Sequence, residues 1–508
     1  MQAKVKYLYI FFGLCMVIST AAQTPEEKID SLLTAYYESD CFNGVVLVSE
    51  KGKIILKKAY GTADRELNIP MTTDMKFRIA SISKPFTSMI ILQLVDEGKI
   101  RLDGKITDFV TDYTGKKGDT ITIRQLLTHT SGILESLDPE REAIQERLYH
   151  SLREMVKFAE ESDLYFEPGT GFHYSNLAYN LLAYIAESVT DKPFDQLLDE
   201  RIFDPLEMKC TKQYNAAFVE KNLAKGYEYR LLKGYENASS YDPSYTVGPG
   251  GLISTVDDLL KFDQALYARK MISAGLYNKM FLPTPQGSYG YGWELSKKRT
   301  ANHPDTVHIF SHSGSINGFG SYMARIESDS ILVIVLKNNR TDSYISPAYA
   351  PVIGQEIISI LLCDKVDIPK KSIARELGYL IGQKGIKEAI EEYYRIKDTD
   401  YEHFNFEEPE LNKLGIELFF RFKMPEEALK IFGINMIEFP NSYNVYDSYA
   451  YILMQRGDYL NSIKYYKTGL KILQKYPEIN NSESVLKDAE NAMKSIKEME
   501  IKIKNQDG

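Results

Sequence analysis

The chain has 508 residues, 44% hydrophobic and 26% charged, an ordinary globular composition but too long for one core, so two or three domains are expected. A net charge of -9 with no basic run argues against nucleic acid or an anionic membrane as the main partner.

Lys4 and Lys6 precede an apolar run from Tyr7 to Thr20, and Ser19–Gln23 ("STAAQ") offers small residues for cleavage. That layout predicts an export signal over residues 1–22. The run is short for a retained anchor. Cys15 follows Leu14 rather than a small residue, which argues against lipidation. Once the signal is removed, Cys41, Cys210 and Cys363 remain, odd in number and far apart, so neither a disulfide framework nor a metal cluster is indicated. No other stretch approaches membrane-spanning length. The mature protein is expected to be soluble, in a periplasm or outside the cell.

Glu26–Tyr37 reads as a short amphipathic helix, and Gly44–Gly61 as a hairpin turning at Lys51-Gly52. Phe77–Ala80 ("FRIA") predicts a strand, and Lys84–Glu97 a buried helix closed by Gly98. Residues 100–240 are expected to be mainly helical. Strands return with "YGYGWEL" (Tyr289–Leu295), "HIFSHSGSINGFGSYMARI" (His308–Ile326) and "SILVIVLKNN" (Ser330–Asn339), and Glu356–Leu362 closes as a helix. Strands at both ends with helices between predict an α+β domain over residues 23–365: an antiparallel sheet flanked by helices, with an inserted helical subdomain.

From about residue 366 Gly and Pro thin out, strands vanish, and helical periodicity runs to 508, predicting a separate all-α domain. Residues 409–442 and 443–476 align at a period of 34, with Ala428 matching Ser462 and Phe432 matching Tyr466. A weaker unit carries Leu377, Leu380, Ala389 and Tyr393. The pattern resembles degenerate tetratricopeptide repeats, with an unrelated helical bundle as the alternative. Either reading suits packing or protein contact better than chemistry.

The chemistry starts at "FRIASISKP" (Phe77–Pro85). Ser81 precedes a helix, where the dipole and free N–H groups favour developing negative charge, and Lys84 lies one turn on, facing the same side. A buried lysine beside a serine can take its proton. On this spacing alone, a capping serine with a solvated lysine is the commoner reading.

Two later stretches change that. Tyr174-Ser175-Asn176 stands between the loop "EPGTG" (Glu167–Gly171) and an apparent helix, and His312-Ser313-Gly314 opens an apparent strand. S-x-x-K, then Y-x-N, then a basic-x-G strand is an ordered signature. Residues 25–365 therefore resemble the β-lactamase-related serine hydrolases, in the class C and penicillin-binding-protein-like branch that includes esterases and D-stereospecific peptidases. "LLTHTSGI" (Leu126–Ile133), "GPGGLISTVDDLLKF" (Gly248–Phe262) and "YGYGWEL" (Tyr289–Leu295) resemble the same family.

The resemblance implies roles. Ser81 attacks an ester or amide carbonyl; Tyr174 acts with Lys84 as the base; Asn176 bonds Lys84 and the acyl side of the substrate. The amides of Ser81 and Ser315 form the oxyanion hole, and Gly314 admits the substrate to the strand edge. His312 departs from the lysine usual at that position in lactamases and transpeptidases. Histidine is mostly neutral at pH 7, which weakens the argument for β-lactams as substrates. His129 reads as structural, His173 as a candidate cleft residue, and His303 and His308 have no pattern around them. No cofactor or metal motif is present. The reading is an exported serine hydrolase of esters, peptides or peptidoglycan fragments, with a penicillin-binding D,D-carboxypeptidase or β-lactamase as the alternative. A second alternative is a non-catalytic sensing protein whose helical tail recruits a protein partner.

Overall fold

The structure, a computed structural model, describes residues 23–134, 143–300, 305–341, 343, 345 and 349–506. The expected export segment and His303 lie outside the described residues.

Helix α1 (Pro25–Glu38) begins behind Thr24, whose hydroxyl accepts from the Glu27 N–H while the Glu27 carboxylate accepts from the Thr24 N–H. Its buried face is Ile29, Leu32, Leu33 and Tyr36. The main sheet comprises β1 (Gly44–Glu50), β2 (Lys53–Tyr60), β3 (Glu294–Lys298), β4 (Val307–Ile316), β5 (Phe319–Ile326) and β6 (Ile331–Lys337), in the spatial order β3-β4-β5-β6-β1-β2. Every pairing is antiparallel. The register from Gly44 against Lys337 to Glu50 against Ile331 joins the N-terminal hairpin to the last strand. The alternation of β1 splits its side chains between two cores. Val45 and Leu47 join the core built around α2 (Ser83–Asp96), while Val46 and Val48 join the one beneath α1 and α4 (Ala350–Leu361).

The insert between β2 and β3 holds α2 and α3 (Asn176–Thr190). Its last third departs from the helical expectation. Tyr227–Arg230 and Gly234–Asn237 form a hairpin, and Asn339–Thr341 joins it in parallel. Alternating Tyr and Glu in "YEYR" carry the two-residue period of a strand, although Tyr227, Glu228 and Tyr229 are all buried. "YGYGWEL" becomes strand only from Glu294, "FRIA" only over Phe77–Arg78, and the closing helix starts earlier, at Ala350.

The C-terminal part contains α5 (Ile373–Lys384), α6 (Ile386–Thr399), α7 (Glu408–Ile416), α8 (Pro425–Glu438), α9 (Tyr443–Gln455), α10 (Tyr459–Lys475) and α11 (Glu483–Gln506). Strands do not vanish entirely: Lys371–Ser372 pairs in parallel with Phe404–Asn405, where extended backbone leading into two helices finds partners. Helices α8 and α10 start 34 residues apart, and Ala428, Phe432, Ser462 and Tyr466 are all buried.

This helical part shares a core with the sheet-bearing part. Tyr229, Leu231 and Ile345 pack in one cluster with Ile373, Leu377, Leu414 and Ile431. A methyl group on Gly382 would strike the Leu232 carbonyl oxygen, so glycine permits the close approach of α5 to the hairpin. Arg375 donates to Asp40 Oδ2 at 2.7 Å and lies 3.5 Å above the centroid of the Tyr229 ring.

Candidate active site

Ser81 lies in a short 3₁₀ turn, Ala80–Ile82, that feeds directly into α2. Ala80 has φ +48°, a left-handed conformation that costs a residue with a Cβ about 1–2 kcal/mol. Neighbours hold it there. Ser83 Oγ donates to the Ala80 carbonyl at 2.7 Å, and Ser321 Oγ on β5 donates to the Ile79 carbonyl at 2.7 Å. Gly314 on β4 meets the same turn. A methyl group there would collide with the Ile79 carbonyl and Ser321 Oγ, so only glycine lets the strand close on the turn. The strained turn, and with it the Ser81 backbone, is thus fixed by the strand that continues into Ser315.

Lys84 is fully buried, and its Nζ donates to Ser81 Oγ at 3.1 Å, Asn176 Oδ1 at 2.7 Å and the Pro249 carbonyl at 3.2 Å. Each acceptor comes from a different element, and together they offset the cost of burying the amine. Asn176 opens α3, for which Ser175 is the cap, its Oγ accepting from the Ala178 N–H. Tyr174 therefore projects from just before a helix start, and Lys84 Nζ lies 4.5 Å from its ring centroid.

His129 belongs to this centre. It accepts the Ser175 N–H at Nδ1, 3.1 Å away, and its ring lies 4.3 Å from that of Tyr174. Its carbonyl accepts the His173 N–H at 2.9 Å. Burial first, then the Lys84 charge, pushes its pKa well below the ordinary imidazole value, so the ring is neutral. The sequence reading of His129 as structural is refined to a support for the Tyr174 loop. "LTHTSG" carried the signal, but no spacing rule links it to Tyr174. His173 stacks on Tyr165, with ring centroids 5.0 Å apart, and His308 is exposed on β4.

His312 is buried on β4, with Nδ1 at 2.7 Å from the Ser313 carbonyl. A carbonyl only accepts, so Nδ1 carries the hydrogen and Nε2 accepts from the Tyr289 hydroxyl at 2.7 Å. Burial, aided by the Lys84 charge, pushes its pKa down to about 3. It carries no positive charge at neutral pH. Beside it, Ser313 Oγ donates to Glu294 Oε1 at 3.1 Å, and burial raises the pKa of that carboxyl. Tyr289, Glu294 and the Pro249 carbonyl are site groups from stretches that the sequence marks without assigning a role, because each acts through tertiary contact alone. Ser315 is exposed just past Gly314, opposite Gly320. No group of metal-binding side chains occurs among the described residues.

Comparison with known proteins agrees with this geometry. The family described as Beta-lactamase matches residues 29–350. Penicillin-binding protein 4* of Bacillus subtilis (strain 168) is 29% identical over 377 residues, covering 69% of this chain and 79% of its own length. Esterase EstB of Burkholderia gladioli is 29% identical over 266 residues, or 46% and 68%. The D-amino acid amidase of Ochrobactrum anthropi SV3 superposes with a TM-score of 0.56 at 25% identity, covering 67% of this chain and 98% of that one.

Proposed function

The chain belongs to the beta-lactamase family of serine hydrolases, and from that premise we propose that it cleaves ester or amide bonds through an acyl-enzyme on Ser81. The observation that carries this reading is the triple contact of Lys84 Nζ. Asn176 Oδ1 and the Pro249 carbonyl can only accept, so each takes one N–H. The same nitrogen also lies within hydrogen-bond distance of Ser81 Oγ, at 3.1 Å. That proximity is what a proton shuttle at the nucleophile requires.

In this mechanism Ser81 Oγ attacks the carbonyl carbon as its proton passes to the Lys84–Tyr174 pair. The oxyanion is met by the Ser81 and Ser315 amides. The same pair delivers a proton to the leaving group and then activates the water that releases the acid. Asn176 keeps Lys84 aimed at Ser81. Neutral His312 buttresses Tyr289 and the strand; it does not supply a cation for a substrate carboxylate.

That last point favours esters and amides, including those of D-amino acids, over β-lactams. Likeness to a penicillin-binding protein keeps D,D-carboxypeptidase chemistry as the second reading. The function is tested by p-nitrophenyl ester hydrolysis in wild type and Ser81→Ala; undiminished activity in the variant refutes the assignment.

The charged-then-apolar segment at residues 1–22 supports export to a periplasm or the exterior. The matched 34-residue spacing of α8 and α10, with small buried residues at Ala428 and Ser462, supports a tetratricopeptide-like region after residue 365, suited to a protein partner.

A further inference from the structure

The helical region lies outside the family match, which ends at residue 350, yet hydrogen bonds link it to a cavity beside Gly314 and Ser315. Helix α7 runs into a π-turn, Glu417–Arg421, closed by the Phe422 N–H donating to the Glu417 carbonyl at 3.1 Å. Such turns are rare and recur at functional sites. Here the turn carries Glu417, 4% exposed, whose Oε1 accepts from Ser343 Oγ at 2.8 Å. Ser343 Oγ also accepts the Ile345 N–H at 3.1 Å, and Ile345 is buried in the helical core beside Leu414 and Leu418.

Upstream, the Ser343 N–H donates to Thr341 Oγ1 at 3.2 Å. Arg340 and Thr341 line a cavity of about 250 Å³ together with Ser313, Gly314 and Ser315. One chain of contacts therefore runs from a buried carboxylate in the helical region to the wall facing the strand of His312 and Ser315.

We propose that Glu417 is a positioning residue for the hydrolase reaction. It sets the Arg340–Thr341 wall through Ser343 and thereby governs how substrates with bulk beyond the scissile bond are seated. This rests on the reading of Ser81 as nucleophile. A small ester that fills only the acylation centre does not reach the wall, whereas a longer substrate such as a D-alanyl-D-alanine peptide does.

The test compares Glu417→Ala, Glu417→Gln and Ser343→Ala in the full chain, with Ser81→Ala as control. Kinetics are measured on p-nitrophenyl acetate and on the larger wild-type substrate from a panel of D-amino amides and D,D-dipeptides. Glu417→Ala and Ser343→Ala are expected to raise KM for the larger substrate at least fivefold, with kcat on the acetate within twofold. Their combination should add nothing further. Glu417→Gln, which keeps an acceptor for Ser343, should restore the KM. Unchanged KM in both alanine variants, with Ser81→Ala inactive, overturns this inference alone. An equal loss on both substrates also overturns it, since it marks a merely structural contact. Activity that survives in Ser81→Ala overturns both this inference and the functional reading.

Discussion

The Tyr289 hydroxyl donates to His312 Nε2 at 2.7 Å, and the opposite ring nitrogen gives its hydrogen to the Ser313 carbonyl. Both nitrogens of a buried imidazole are thereby satisfied in the neutral state. Tyr289→Phe removes the donor and leaves Nε2 buried without a partner. The cost should be about 1–3 kcal/mol of stability, read from denaturant midpoints against wild type. An unchanged midpoint contradicts the assigned tautomer.

The same burial predicts acid sensitivity. In the unfolded chain the His312 ring protonates below about 6.5, whereas in the folded state it resists protonation down to about 3. Between those values the unfolded state binds the extra proton, so stability falls as pH falls, by about 1.4 kcal/mol per unit at most. His129, also depressed, acts in the same direction. Unfolding free energy measured from pH 7 to 4 should decline, and His312→Gln should decline less steeply. Parallel curves contradict this account.

Gly314→Ala tests the closure of β4 on the turn before Ser81. Its methyl group has no room against the Ile79 carbonyl, so the strand must move outward and carry the Ser315 amide with it. If that amide serves as the proposed oxyanion donor, its loss should cost about 100- to 1,000-fold in kcat. Esterase kinetics with circular dichroism as a fold check decide it; near-normal kcat contradicts the placement of Ser315.

Asn176→Ala should lower kcat more than it raises KM, by about 10- to 100-fold, because Lys84 loses an acceptor at 2.7 Å and with it its aim at Ser81. A change confined to KM would instead make Asn176 a substrate-binding group alone.

Fluorescent penicillin separates the two substrate readings. With a neutral His312 in place of a fixed cation, labelling should be weak or absent. Strong, slowly released labelling favours the penicillin-binding reading.

The proposed centre was legible through the resemblance carried by three ordered short stretches, and the fold brings Ser81, Lys84 and Asn176 of two of them together. Ser81 and Lys84 lie one turn apart, and Asn176 begins a helix capped by Ser175. The antiparallel sheet was legible from its apolar runs, and Gly314 from its place in a strand. The supporting groups were not. His129, Tyr289 and the Pro249 carbonyl approach from loops whose separation in sequence says nothing of distance, and backbone acceptors carry no residue signature. The hairpin at Tyr227–Asn237 was hidden by its short strands, and the shared core of Leu231 with Leu377 by the composition change near residue 366.

The central claim is that Ser81 carries the acyl group. Intact-mass spectrometry after reaction with a fluorophosphonate, followed by peptide mapping, tests it most directly. One adduct on the peptide containing Ser81, absent from Ser81→Ala, is the predicted result. An adduct that persists in the variant, or no adduct on a folded wild-type protein, would contradict it.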